Sequence, residues 1–255
     1  MDHSTTGGLE EPYYAQARDF VQRHLPPCSG LQVTLTYAQS LDGMIAARPG
    51  QQLLLSSRAA MAMTHRMRAH HDAILVGIGT VLADDPQLSA RLLPSSEMPC
   101  HPQPVVLDPH LRMPATARLL SGPRADPRLH SPWIIAGPHA DPAKRQELQR
   151  LGATVISVDQ VDQQGRPLLD AVAAELSRRG VRRLMVEGGA HIIQAFLASV
   201  LVNTLVVTIA PVFVGVGGVT AACASAAHAQ TFPNIRPLAY EQFGTDVVMV
   251  ASVQQ

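Results

Sequence analysis

Short apolar runs, each closed by a turn-forming cluster, recur along this chain. The clearest is Ala73-Ile74-Leu75-Val76, which breaks at Gly77-Ile78-Gly79 and continues through Thr80 to the adjacent carboxylates Asp84 and Asp85. Such a continuous run fits a strand buried on both faces. Val105–Leu107 before Asp108, Trp133–Ala136, Thr154–Val158, Arg183–Val186 before Glu187, and Leu205–Ala210 before Pro211 read the same way. In Gln32–Gln39, Val33, Leu35 and Tyr37 alternate with Thr34, Thr36 and Ala38, which predicts a further strand. Val247–Val253 is predicted to be the last.

Helical patterns fall between these runs. One spans residues 12–24, ahead of Pro26-Pro27. Ser56 or Ser57 can cap a second that runs to about His70, with Ala60, Met63, Met67 and His71 near one face. A helical turn is predicted near Ala115–Leu120. Asp141-Pro142 opens a helix through Leu151, with proline at its first position. Pro167–Gly180 reads as a helix closed by glycine, and Ala190 to about Leu201 as another. Alternating strands and helices predict one α/β sheet with helices on both faces. Residues 1–30 read as an N-terminal extension and 31–255 as a single domain, with no internal repeat.

Composition narrows the function classes. Lys+Arg and Asp+Glu balance at 20 each, so there is no basic footprint for nucleic acid or an acidic membrane. An apolar fraction of 46% is ample for a buried core. Gly188 through Ile235 contains no Asp, Glu, Lys or Arg. Gln194, Asn203, Thr204 and Pro211 interrupt that stretch, and its apolar pieces fall short of the ~20 residues of a membrane span. It reads instead as buried structure plus a subunit interface. Cys28, Cys100 and Cys223 are far apart and odd in number, which suggests a reducing compartment. No secretion signal begins the chain, so a cytoplasmic location is expected. His65, His70 and His71 lack a metal-binding register, and no metal is expected.

Three strand ends carry candidate chemistry. Ser40-Leu41-Asp42-Gly43 is a turn in which Asp42 suits a carboxylate bonded to nearby backbone. Gly77-Ile78-Gly79-Thr80 leaves room for a ligand to approach the backbone, and Thr80 is placed to cap a new helical turn or to meet a ligand oxygen. Glu187-Gly188-Gly189-Ala190 is an acid, two glycines and a helix start, a pattern suited to phosphate. Neither a dinucleotide-binding GxGxxG nor a Walker sequence is present. Arg66 and Arg68 near a helix end suit either dipole complementation or a phosphate clamp.

Taken together, TLTYAQSLDGMIA (34–46), RAHHDAILVGIGTVLADDPQLSAR (68–91), PVVLDPHLR (104–112), LMVEGGAHII (184–193) and IAPVFVG (209–215) resemble the reductase family of riboflavin biosynthesis, in its stand-alone fungal form. The zinc-deaminase signature of its bifunctional relatives is absent. The resemblance implies a dihydrofolate-reductase-like three-layer fold, a mostly parallel sheet with helices on both faces. It implies NADPH as cofactor, a homodimer, and a phosphorylated aminopyrimidine whose ribosyl C1 is reduced to a ribityl chain. It implies cofactor contacts at Gln39, Gly77, Gly79, Thr80, Asp84, Gly188, Gly189, Ala190 and His191, and substrate contacts at Gln52, Arg68, Leu88, Arg91 and Glu187. Asp84 and Glu187 are then the acids best placed to serve the reaction, and Arg68 and Arg91 suit a sugar phosphate. A strained cis peptide at Gly188-Gly189 is also implied.

Some positions depart from the family pattern. Thr36 stands where bacterial relatives often carry lysine, Leu54 where some carry tryptophan, Gln52 where a serine meets substrate, and Asn203-Thr204 where acids are usual. Arg112 is a candidate for selecting NADPH. Two other readings stay open: a reductase of the same fold with another carbonyl or imine substrate, and a non-catalytic nucleotide-binding scaffold.

Overall fold

The computed structural model describes residues 11–26, 29–51, 53–94, 96–97, 100–221 and 234–254. In chain order the elements are α1 (Pro12–His24), β1 (Gln32–Ser40), β2 (Met44–Ala46), α2 (Arg58–His70), β3 (Ala73–Gly77), α3 (Ile78–Asp84), β4 (Gln103–Leu107), α4 (Arg118–Ala125) and β5 (Trp133–Ala136). They continue with α5 (Pro142–Arg150), β6 (Thr154–Ser157), α6 (Leu169–Arg178), β7 (Arg183–Val186), α7 (Ala190–Leu197), β8 (Thr204–Ala210), β9 (Val219–Thr220), β10 (Asn234–Phe243) and β11 (Asp246–Gln254).

The main sheet runs β10-β11-β8-β1-β7-β3-β4-β5-β6. Strands β8 through β6 in that order are parallel, and β11 and β10 close one edge antiparallel. The chain leaves β1, crosses through α2 to β3, and leaves between them a place that β7 fills much later; Leu35 and Leu75 both register with Val186. The carboxyl ends of β1, β7 and β3 therefore lie side by side, where open α/β sheets bind ligands.

Alternation along β3 builds the three layers. Ala73 and Leu75 face α6 and α7, with Val172, Leu176, Ile193 and Phe196. Ile74 and Val76 face the opposite layer, with Leu119, Leu120 and Leu148 of α4 and α5. Helices α1 and α2 extend that second layer through Phe20, Met63 and Met67, packed on Met185, Val206 and Val250. Phe20 meets Phe243 edge-on at 5.4 Å, so α1 is seated on the last hairpin.

Several sequence expectations need correction. Of the two serines expected as caps for α2, Ser57 takes the role and accepts from the Ala60 amide. Helix α4 runs on through Gly122-Pro123 rather than ending near Leu120. Its first amide, Arg118, donates to Asp85 Oδ1 at 2.8 Å, a cap supplied from far back in the chain. Helix α7 stops at Leu197, where Ser199 Oγ donates to the Phe196 carbonyl. Strand β10 carries Arg236, Pro237 and Glu241 and shows no apolar run; it forms because β11 offers it an edge. The described residues contain no cis peptide bond, so Gly188-Gly189 is trans, with Gly188 at φ +149°. No helix among the described residues is long and apolar enough to cross a membrane.

Candidate active site

Glu187 directly follows β7 on the α2 side of the sheet, its amide donating to the Leu75 carbonyl at 2.9 Å. Its carboxylate accepts from Arg68 Nε at 2.8 Å and Arg68 Nη2 at 2.6 Å, the two-pronged geometry that suits a guanidinium. Both side chains are largely buried, 14% and 16% exposed. Burial opposes the charge on Arg68, but the Glu187 carboxylate more than offsets it and holds the guanidinium above its ordinary range. The third prong, Arg68 Nη1, donates to the Ser89 carbonyl at 3.3 Å. Arg68 thus joins α2, the end of β7 and the segment after α3.

The glycine turns after β3 and β7 touch through Thr80. Thr80 is the third residue of α3 and does not cap it; the N-cap is Gly77, without a side-chain bond. The Thr80 hydroxyl instead accepts from the Gly189 amide at 3.1 Å. The motif glycines differ in role. A Cβ on Gly77 would meet Ile192 of α7 at 2.7 Å, so this glycine serves close packing rather than ligand approach. A Cβ on Gly79 would meet nothing within 4 Å, and that residue is exposed. Gly189 precedes α7 with no side-chain cap, which leaves the Ala190 and His191 amides as helix-start donors without a partner among the described residues. Gly79 is open, and a Cβ on Gly188 or Gly189 would make only ordinary contacts at 3.5–3.7 Å; backbone of this kind at a helix start is chemically suited to an anionic group.

The other expected residues spread around this centre. Asp84 ends α3, and its half-buried carboxyl, without a hydrogen-bond partner among the described residues, is raised by burial. Among the described residues Arg91 Nη1 meets only neutral oxygens, Gln87 Oε1 and Ser89 Oγ, both at 3.1 Å. Leu88 has a left-handed backbone (φ +52°) and a side chain packed in the core, so it can offer a ligand only its backbone. Gln39 is half-buried on β1 beside Ile209. Gln52 lies outside the described residues. Arg66 is no phosphate clamp: it pairs with Glu97 at 2.7 Å. Arg112 is exposed just past β4.

Asp42 bonds more than its own turn. It accepts from Ser40 Oγ and from the Val214 and Gly215 amides, and these donors, Ser40 first, hold its carboxyl at about 2. His65, His70 and His71 do not converge. His71 Nδ1 and Nε2 pair with the Met67 carbonyl and the Thr34 hydroxyl, and His65 Nδ1 accepts from the Arg91 amide. Among the described residues no group of His, Cys, Asp and Glu is arranged to hold a metal ion. Sequence reading missed the roles of His65 and His101, which accept from backbone amides of another segment, and of Ser89, whose carbonyl accepts from the Arg68 side chain.

Residues 32–249 match the family described as the RibD C-terminal domain. The 2,5-diamino-6-ribosylamino-4(3H)-pyrimidinone 5′-phosphate reductase of Debaryomyces hansenii is 36% identical over 216 residues, covering 82% of this chain and 87% of that one. The structure of the Saccharomyces cerevisiae riboflavin biosynthesis reductase Rib7 is similar at a TM-score of 0.71 and 26% identity, covering 92% of this chain and 98% of that one. Acinetobacter baumannii RibD is similar at a TM-score of 0.73 and 25% identity, covering 89% of this chain; this chain spans only 59% of that longer protein.

Proposed function

This chain belongs to the RibD C-terminal domain family, and from that premise we propose that it reduces the ribosyl C1 of 2,5-diamino-6-ribosylamino-4(3H)-pyrimidinone 5′-phosphate to the ribitylamino product, with NADPH as cofactor. The observation that carries the reading is the Arg68–Glu187 pair, which sits at the end of β7 directly before the Gly188-Gly189 turn that Thr80 ties to the start of α3. A largely buried ion pair beside glycine turns at the open end of a sheet favours a ligand site over a bare scaffold.

When bound, the dihydronicotinamide supplies a hydride to C1. Gly79, Gly188, Gly189, Ala190 and His191 would hold its phosphates and ribose through backbone, with Thr80, Asp84, Gly77 and Gln39 around them. Hydride addition to an open-chain imine or aldehyde leaves nitrogen or oxygen in need of a proton. Asp84, whose burial favours its protonated form, is the better donor. Glu187, held in place by its two hydrogen bonds from Arg68, orients the sugar hydroxyls and stabilises positive charge as the imine forms. Arg91, with no carboxylate partner among the described residues, is free to take the 5′-phosphate.

Residues 31–255 act as one reductase domain in this reading, with 1–30 as an extension. The chain works as a homodimer in the cytoplasm, where a second copy covers exposed apolar side chains of the uncharged stretch such as Phe213 and Val216.

The test is oxidation of NADPH, followed by its near-ultraviolet absorbance, with freshly made ribosylaminopyrimidine phosphate and an NADH control. Substrate-dependent turnover that prefers NADPH and collapses in Asp84→Ala and Glu187→Ala is expected. Saturable NADPH binding without turnover would move the substrate elsewhere. A monomeric mass by light scattering would remove the dimer.

A further inference from the structure

Residues 88–90 form a buried segment that belongs to no strand and leads into the exposed Arg91. Leu88, Ser89 and Ala90 are each at most 2% exposed, and Leu88 is left-handed. Buried backbone groups need partners, and without a sheet these must come from side chains. Three do. The Ser89 carbonyl accepts from Arg68 Nη1. The Ala90 amide donates to His101 Nδ1 at 3.3 Å, and the Arg91 amide donates to His65 Nδ1 at 2.9 Å. Two consecutive amides thus end on imidazole nitrogens supplied by two separate segments, His65 of α2 and His101 just before β4.

An imidazole accepts only when neutral, with its proton on Nε2. Both rings are shifted towards the neutral form. Burial is the main cause for each. Arg68 and Arg91 add to it at His65; at His101 Arg128 adds most, Asp126 opposes, and His130 and Arg91 contribute. A charged ring at either place would turn an acceptor into a donor facing an amide.

We propose that His65 and His101 are positioning residues, whose Nδ1 acceptors fix the Ala90 and Arg91 backbone and so present the Arg91 guanidinium to the substrate's phosphate. The phosphate assignment rests on the proposed function; the acceptor role does not. The Arg91 side chain closes back on Gln87 and Ser89, so a turned backbone at residue 91 would carry the guanidinium away with it.

The test compares His65→Leu, His65→Asn and His65→Gln, with the same three at His101. Asparagine places its amide oxygen near Nδ1; glutamine places it near Nε2. Leucine and glutamine are expected to raise KM for the phosphorylated substrate by roughly three- to tenfold, with kcat and the NADPH KM little changed, and asparagine to restore it. In an Arg91→Ala background the same changes should add nothing. Equal losses for substrate and NADPH, or full increments without Arg91, would overturn the proposal. Should the leucine variants not fold, the asparagine–glutamine contrast decides the same point. Amide hydrogen exchange supplies a readout free of substrate: the Arg91 amide should lose protection in His65→Leu, and the Ala90 amide in His101→Leu. Failure of the wild type to turn over the aminopyrimidine phosphate would count against the proposed function alone, and the exchange result would then decide the histidines' role.

Discussion

Arg68 and Glu187 face each other across the gap between a helix and a strand end, joined by two hydrogen bonds of 2.8 and 2.6 Å. Because both are largely buried, removing one partner leaves the other charged in a poor solvent. Glu187→Ala should therefore cost about 3–5 kcal/mol of folding stability. Glu187→Gln keeps the shape and should cost less, while turnover falls about a hundredfold or more through loss of the charge. Urea unfolding and steady-state kinetics separate the two effects. Wild-type stability in Glu187→Ala would show that the pair is not buried as described.

Thr80 joins two loops that the sequence holds far apart, by accepting from the Gly189 amide. Thr80→Val keeps the bulk and removes the acceptor. A net loss of about 1 kcal/mol is expected, seen as a several-fold weaker NADPH affinity by fluorescence titration. Thr80→Ser should stay near wild type. If valine binds NADPH as tightly as threonine, the stitch has no role in the cofactor site.

Much of this architecture is legible in the sequence, for physical reasons that also mark where reading stops. Runs such as Ile74-Leu75-Val76 and Leu205-Val206-Val207, short, β-branched and bounded by turn residues, fit strands covered on both faces. Strand β10 has no such run, because an edge strand is half-exposed and tolerates Pro237 and Glu241. The acids and arginines of the site could be picked out individually. Their pairing could not: Arg66 and Arg68 stand two places apart on α2, yet one meets Glu97 and the other Glu187. The acceptor roles of His65 and His101 depend on backbone amides 26 and 11 residues away. No local pattern encodes a bond of that kind.

The buried histidines make stability depend on pH in a defined window. His65 is held at about 3 and His71 at about 4, against an ordinary 6.5, with burial the main cause in both. Below the ordinary value the unfolded chain binds protons that the folded chain refuses, so stability falls as pH drops through 6.5 towards 4. Carboxylates held low, such as Asp42 and Asp126 at about 2, withdraw their contribution only below their ordinary 3.8. Urea midpoints should therefore begin to fall in the histidine window, before the carboxylates titrate. A His65→Asn/His71→Asn double variant should show a shallower slope there. An unchanged slope would mean these rings titrate normally.

Gly77 and Gly79 look alike in the sequence and should respond oppositely to one added methyl. At Gly77 a Cβ would meet Ile192 Cγ1 at 2.7 Å and Cδ1 at 3.0 Å, so Gly77→Ala must push α7 or rotate that side chain. Overpacking of this kind costs about 1–3 kcal/mol, and Ile192→Val should recover part of it. At Gly79 a Cβ meets nothing within 4 Å and the backbone φ is not positive, so Gly79→Ala should leave the unfolding midpoint unchanged or slightly raised. If the cofactor lies on that turn, the same methyl intrudes on it, and the NADPH KM should rise several-fold with no loss of stability. Thermal unfolding and NADPH titration of the two variants thus separate packing from binding within one motif. Equal effects of both substitutions on both measurements would mean the two glycines share one role, and that the open side of Gly79 is not where the cofactor sits.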